Sequence, residues 1–309
     1  MILIVVNTKK DENSQNDYFN DEELYLLEKL CRDAKIDYDI IDGELEFIDM
    51  VHNTNDFSNI KVLNLTRTGS INNKKSLLKS YCDIRQIKCI SSSVMSVNLC
   101  RNKKIINKLF KDKFVAKQYC ECDLNYLENS RKMVILKKIQ SAGSDELDYN
   151  KIGYVRKNNG EYLLNEIDLL GFDNKYVLDE FIDGIEMEVP FVIRDNEIII
   201  LGVCEVIFYF DFVMTQEVSD NYLYYFKLND KVNLEYIIEV IKEIIDLTSI
   251  EFYGRVDFKI GNINDTSTYK VFDIATTPYF INNSSFDYAF KNHDISKEYK
   301  NVLDLIINL

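Results

Sequence analysis

The chain has 309 residues, 46% of them apolar, and a formal net charge of −14 with a pI near 4.8. That length supports two or three packed units with a full core. Nucleic-acid backbones and anionic membrane surfaces are bound through clustered Lys and Arg, so neither partner is expected.

Ile2–Val6 is a continuous apolar run and reads as a buried parallel strand. Asp21–Ala34 sets Leu24, Leu27, Leu30 and Cys31 at helical spacing behind a first turn rich in acids. Strand patterns recur at 38–41, 61–65 and 87–90, with a helical stretch at 74–82. The alternation predicts a small open α/β unit with a parallel sheet over residues 1–92.

A second unit, residues 93–182, opens after Ser91-Ser92-Ser93 with a helix expected over 94–110, Asn102 and Lys103 inside it. A strand at Met133–Lys138 follows, then a small-residue loop, Ser141-Ala142-Gly143-Ser144. Two short strands flank Asn158-Asn159-Gly160, and another lies within 175–182.

The third unit, residues 183–309, begins with an antiparallel hairpin, 186–193 and 197–207, about the turn Arg194-Asp195-Asn196. Leu234–Thr248 is an amphipathic helix. Strands follow at 252–260 and 269–274, and a helix at 299–309 closes the chain.

The seven cysteines include no CxxC pair, the tightest being Cys120-Glu121-Cys122, and there are two histidines, His52 and His293. A zinc site is not expected from that set, and buried free thiols in a reducing compartment are. The apolar start is too short for a signal peptide and no run approaches membrane length. A cytoplasmic protein is expected.

The chemistry concentrates near the end of the chain. Two apolar strand-like runs each deliver an acid, Asp257 and Asp273. Arg255 stands two residues before the first, and Pro278, one of two prolines, follows the second. Carboxylates on adjacent strands can hold Mg²⁺, which prefers oxygen ligands and carries nucleotide phosphates. An arginine beside them can stabilise negative charge as it develops. From the spacing alone, two solvated strand-end acids are the simpler account.

This block resembles the C-terminal signature of ATP-grasp ligases: Arg-x-Asp, a short hairpin, then Glu-x-Asn-(x)-x-Pro. Within that family it is most similar to the D-alanine–D-alanine ligase type, in which a Ser follows the proline by six positions, as Ser284 does here. The resemblance is strongest over residues 91–290. It implies an α/β chain with α+β lobes in the ATP-grasp fold: an N-terminal open parallel α/β domain (1–92), a small lobe (93–182) and a catalytic lobe (183–309).

By the same resemblance the cofactors are ATP and Mg²⁺. Residues 177–186 match the hinge, so backbone groups of Glu180, Phe181 and Ile182 would read the adenine edge and Glu186 would take the ribose hydroxyls. Lys103 and either Lys137 or Lys138 would reach the phosphates, under a loop that includes Ser144. Asp257 and Asp273 would hold the metal, Arg255 would stabilise the tetrahedral intermediate, and Ser284 would contact a substrate carboxylate. Alternatively, Ser284 is only a helix N-cap and Glu186 an exposed acid at a strand start.

Four positions depart from the pattern. Asp273 replaces Glu, Ala275 replaces the Asn ligand, Met214 stands where a phosphate-contacting Lys is found, and Asn7-Thr8-Lys9-Lys10 lacks the Glu-x-x-Ser that holds a first D-alanine. The resemblance therefore implies a carboxylate–amine ligase, acting on amino acids or short peptides other than D-alanine. A carboxylate–thiol ligase is a close variant, and a homodimer is an admissible assembly. The alternative is a degenerate member that binds nucleotide or a partner without ligating.

Overall fold

The computed structural model describes residues 1–8, 18–53, 60–67, 75–111, 113–140, 147–210 and 213–309. The chain begins as expected, with β1 (Ile2–Val6) buried along its length and α1 (Asp21–Ala34). The Asn20 side chain accepts the Glu23 amide, and the Glu23 carboxylate accepts the Asn20 amide, so two orphan donors at the helix start are satisfied. Next come β2 (Tyr38–Asp42), α2 (Glu44–His52), β3 (Lys61–Asn64), α3 (Leu77–Ile84) and β4 (Lys88–Ile90). The four strands form a parallel sheet in the order β2-β1-β3-β4. Helix α2 was not anticipated, and α3 starts and ends later than its apolar pattern suggested.

The single helix expected over 94–110 is two, α4 (Val94–Arg101) and α5 (Lys103–Leu109). Asn102 breaks it by adopting extended backbone (φ −92°, ψ 93°) and accepting the Ile105 amide with its side chain. An Asn able to cap competes with continuation of the helix. Lys103 thus opens a helix of its own, its amide bonded to Ile139 O at 2.9 Å.

The second sheet is built from β5 (Gln118–Tyr119), β6 (Met133–Lys138), β7 (Ile152–Asn158), β8 (Glu161–Leu164), β9 (Ile167–Asp168) and β10 (Tyr176–Glu180), with α6 (Leu124–Ser130) between β5 and β6. It is antiparallel in the order β5-β10-β6-β7-β8-β9. The loop expected at 141–144, with Ser144, lies outside the described residues.

The third sheet begins with β11 (Ile185–Arg194) and β12 (Glu197–Ile200). Asp195 and Asn196 between them both have positive φ, 53° and 65°, as a two-residue primed hairpin turn requires. The strand expected over 197–207 is interrupted: Leu201 N bonds Pro190 O, and a new strand, β13 (Cys204–Phe208), pairs with the inner part of β11. After α7 (Gln216–Asp220) come β14 (Tyr224–Leu228), α8 (Leu234–Thr248), β15 (Tyr253–Ile260) and β16 (Tyr269–Ala275). The order is β14-β13-β11-β15-β16, with β12 pairing β11 off this path.

Helix α9 (Ser285–Asn292) and α10 (Val302–Ile307) close the described chain, α10 shorter than the helix expected over 299–309. Both bury apolar side chains in one core with β1, β3 and α1. A second core joins α8 to the inner faces of β11, β15 and β16. Five cysteines are buried and free, but Cys120 and Cys122 are paired as a disulfide, which corrects the expectation of free thiols throughout. Among the described residues no helix is long and apolar enough to cross a membrane.

Candidate nucleotide and ligation site

Period-two alternation builds the floor of a cleft between the second and third sheets. On β15, Val256, Phe258 and Ile260 face the core, which turns Arg255, Asp257 and Lys259 the other way. On β11, Met187 and Val189 are core, and Glu186 and Glu188 face the cleft. Glu188 pairs with Asp257 across one strand boundary and Asp257 with Asp273 across the next, so three carboxylates stand in one row. Between Asp257 and Phe258 the register shifts, leaving Phe272 as an extra residue on β16. That bulge lets both Phe272 and Asp273 line the cleft.

The second sheet supplies the opposite wall. Lys137 and Lys138 reach the cleft from the end of β6, and Glu180, Phe181 and Ile182 from the end of β10. Lys103 and Met214 complete its margin around a cavity of about 130 Å³. Both residues of the register left open, Lys137 and Lys138, line the space. Chain crossing from β10 to β11 is tight at Gly184, where a Cβ would meet Ile260 O at 2.2 Å. Glycine is required there by close approach.

The charges are organised in pairs. Arg255 donates Nε and Nη2 to the two oxygens of Asp257, each at 2.7 Å, and its Nη1 lies 3.0 Å from Glu188 Oε2. Ser285 Oγ at the start of α9 also donates to Glu188. Lys259 Nζ meets Glu186 at 3.0 Å, so Glu186 is a buried, partnered acid rather than an exposed one. Lys103 Nζ lies 3.8 Å from Asp273, and Lys137 Nζ 3.2 Å from Asp179. Burial pushes the Asp257 carboxyl upward, with Arg255 pulling against it and Glu188 adding repulsion. Glu188 is pushed the same way, again against Arg255. Burial opposes charge on Arg255, and Asp257 and Glu188 more than offset it. Burial lowers the Lys103 ammonium, with Asp273 acting in the other direction.

One of the expected site residues, Ser284, stands apart from the cleft. Ser284 is buried outside the cleft lining and caps α9, its Oγ accepting the Asp287 amide at 3.1 Å. Glu180 and Phe181 are present, but their amides are taken by Lys117 O and Met133 O. Glu188 and Lys259 were missed. Their signal was the alternation itself, Glu186/Glu188 and Arg255/Asp257/Lys259, with every second residue polar in strands otherwise apolar.

The donor set fits Mg²⁺. The ion is usually held by one or two carboxylates, with phosphates and waters completing its shell. Asp257 and Asp273, on paired positions, provide two such groups. A carboxylate has about four lone-pair sites, so Asp257 can accept from Arg255 and still offer an oxygen.

No family model matches the sequence, and no curated protein matches it. Solved structures do. D-alanyl-alanine synthetase A from Vibrio cholerae superposes with a TM-score of 0.66 over 99% of this chain and 97% of its own, at 11% identity. D-alanine–D-alanine ligase from Bacillus anthracis, complexed with ATP, gives 0.64 over 100% and 96%, at 13% identity. VanG D-Ala:D-Ser ligase from Enterococcus faecalis gives 0.62 over 100% and 98%, at 17% identity. The chain has the ATP-grasp fold of the D-alanine–D-alanine ligases.

Proposed function

We propose that this chain is an ATP-dependent ligase that joins a carboxylate to an amine. What supports the reading is one cleft, on this fold, gathering the paired aspartates, Arg255, the lysines Lys103, Lys137 and Lys138 among others, and the 180–182 hinge. ATP lies with its adenine against the hinge, where Ile182 supplies the amide that Glu180 and Phe181 have already committed. Its ribose hydroxyls bond Glu186, and its phosphates meet Lys103, Lys137 and Lys138. Asp257 and Asp273 would hold Mg²⁺, which would neutralise phosphate charge.

A substrate carboxylate oxygen attacks the γ-phosphorus and the bond to the β-phosphate oxygen breaks, releasing ADP. An amine then attacks the acyl carbon and phosphate leaves with the carbon–oxygen electron pair, while the amine loses a proton to solvent. Arg255 donates to the oxygen that becomes anionic between those events. The chemistry depends on positioning and charge neutralisation, which is consistent with a site lacking a nucleophilic triad. The substrates are small amino acids or short peptides. The three-part division at 92/93 and 182/183, a cytoplasmic location and the absence of a nucleic-acid partner belong to the same proposal.

Binding without ligation is the second reading. It is favoured by the engagement of Arg255 with both Asp257 and Glu188, and by Ala275 and Met214. Calorimetric titration with Mg-ATP, followed by a phosphate-release screen over L-amino acids and short peptides, separates the two. Binding that Glu186→Ala weakens, with release for some substrate pair, is expected. No binding at millimolar nucleotide defeats the ligase reading and leaves of the second only its partner-binding form, and binding with no release across the screen supports the second.

A further inference from the structure

The turn after β5, outside the cleft, brings two sulfurs and a carboxylate together. The ligand atoms of Cys120, Cys122 and Asp123 all lie within 4.8 Å of one another. Asp123 accepts the Cys120 amide at 3.0 Å, and the same carboxylate oxygen lies 3.1 Å from Cys120 Sγ. The turn is held from outside as well. The Glu121 amide donates to Asp173 at 3.4 Å, and the Glu121 carboxylate accepts the Gly171 amide. These bonds hold the turn in place, and the disulfide joins its two sulfurs. Cys122 is exposed and Cys120 half-buried, whereas the five other cysteines are buried.

We propose that Cys120, Cys122 and Asp123 form, when the cysteines are reduced, a site for a thiophilic divalent cation of the Zn²⁺ class. Tetrahedral Zn²⁺ takes thiolate at about 2.3 Å and carboxylate at about 2.0 Å, which separates its ligand atoms by roughly 3.5–3.8 Å. In the disulfide the two sulfurs are bonded and Asp123 Oδ2 lies 3.1 Å from Cys120 Sγ, so on reduction the sulfurs part to reach that spacing, within a cluster whose ligand atoms all lie within 4.8 Å. Three protein ligands leave a fourth position for water, the arrangement of an exchangeable site rather than a closed structural one. Two soft thiolates disfavour Mg²⁺, so the site does not compete for the ion that accompanies a nucleotide. Histidine is not needed. The third ligand comes from the tight turn, which places a carboxylate three residues after the first sulfur, and this is why cysteine and histidine spacing did not indicate zinc.

The disulfide is the closed form of the site. A dithiol reductant opens it, becoming a cyclic disulfide while its two electrons and two protons pass to Cys120 and Cys122. The arriving cation then releases the thiol protons to solvent. A ring closed over one intervening residue gains little from restricting the unfolded chain, so the reduced form is accessible.

The test uses the full chain, reduced with dithiothreitol, desalted without oxygen and titrated with Co²⁺. A thiolate-to-cobalt charge-transfer band should rise, saturate at one equivalent and disappear when Zn²⁺ is added. Cys122→Ser should abolish the band. Asp123→Asn, which can still accept the Cys120 amide, should lower affinity about tenfold, the scale on which single groups around a metal act. The same polypeptide kept oxidised should give no band, and that control requires no variant to fold. Absence of the band in reduced protein overturns the proposal, as does equal uptake by oxidised protein or by the Cys120→Ser/Cys122→Ser double variant.

Discussion

Replacing Arg255 with Met removes the only cation that touches both Asp257 and Glu188 among the described residues. The thioether chain fills much of the same space, so the perturbation is one of charge. Breaking a buried ion pair by deleting one partner costs about 3–5 kcal/mol. The Arg255 side chain is 17% exposed, so water reaches the gap and the low end applies, about 3 kcal/mol. A chain of 309 residues unfolds with an entropy of about 0.6 kcal/mol/K, so Tm should fall by about 5 °C. Adding Glu188→Gln removes one of the stranded charges and keeps an acceptor for Ser285 Oγ. It should restore about half the loss. Far-UV circular dichroism is the suitable probe, since the chain has no tryptophan. A Met variant that melts within about 1 °C of the parent, or a Gln addition that lowers Tm further, would refute the account of Arg255 as the counter-charge of a buried acid pair.

Gly184→Ala forces a Cβ against Ile260 O, so it should cost about 1–3 kcal/mol and weaken Mg-ATP binding through displacement of Glu186; a melt and a titration check both. Burial pushes the thiols of Cys31 and Cys100 up to about 12. At about pH 8 roughly one in 10⁴ of each is then thiolate, so after reduction iodoacetamide should label Cys122 and leave these two unmodified, as mass mapping would reveal. Ala275→Asn adds an oxygen on the strand position paired with Arg255, and it should tighten Mg²⁺ in the nucleotide complex, read as a lower Mg²⁺ concentration at half-saturation. Incubation with ATP, Mg²⁺ and D-alanine should give no D-alanyl-D-alanine, and robust formation of the dipeptide would show that the segment after β1 was misread.

Local pattern was enough where one face of an element carries the signal. The amphipathic runs Asp21–Ala34 and Leu234–Thr248 were readable to their ends, because a cap or an acid-rich first turn coincides with the start of the apolar stripe. It was not enough at Asn102, where apolar residues continue on both sides and only the side-chain bond to Ile105 reveals a second helix start. Arg255, Asp257 and Asp273 stood out through the resemblance of their block to the ATP-grasp signature, since spacing alone reads the two acids as solvated strand ends. Glu188 did not, because its importance arises from pairing with a strand that lies far along the chain, and no short window contains that register. Cys120 and Cys122 were visible as a pair, but the carboxylate beside them belongs to the shape of the turn.

The contacts of α10 with the first sheet bear on how the chain can fold while it is being made. Lys61 Nζ on β3 bonds Ile307 O, 246 positions later, and the Asn301 side chain reaches Leu30 O on α1. Val302, Leu303 and Ile306 share a core with Ile2, Ile4 and Leu27. The parallel sheet therefore leaves the ribosome with one apolar face covered only in part by α1, and the rest of its cover is translated only after the other two sheets. Such a surface is exposed to aggregation for most of synthesis. Its protection falls to chaperones or to speed, and loss of residues 302–307 would make that exposure permanent.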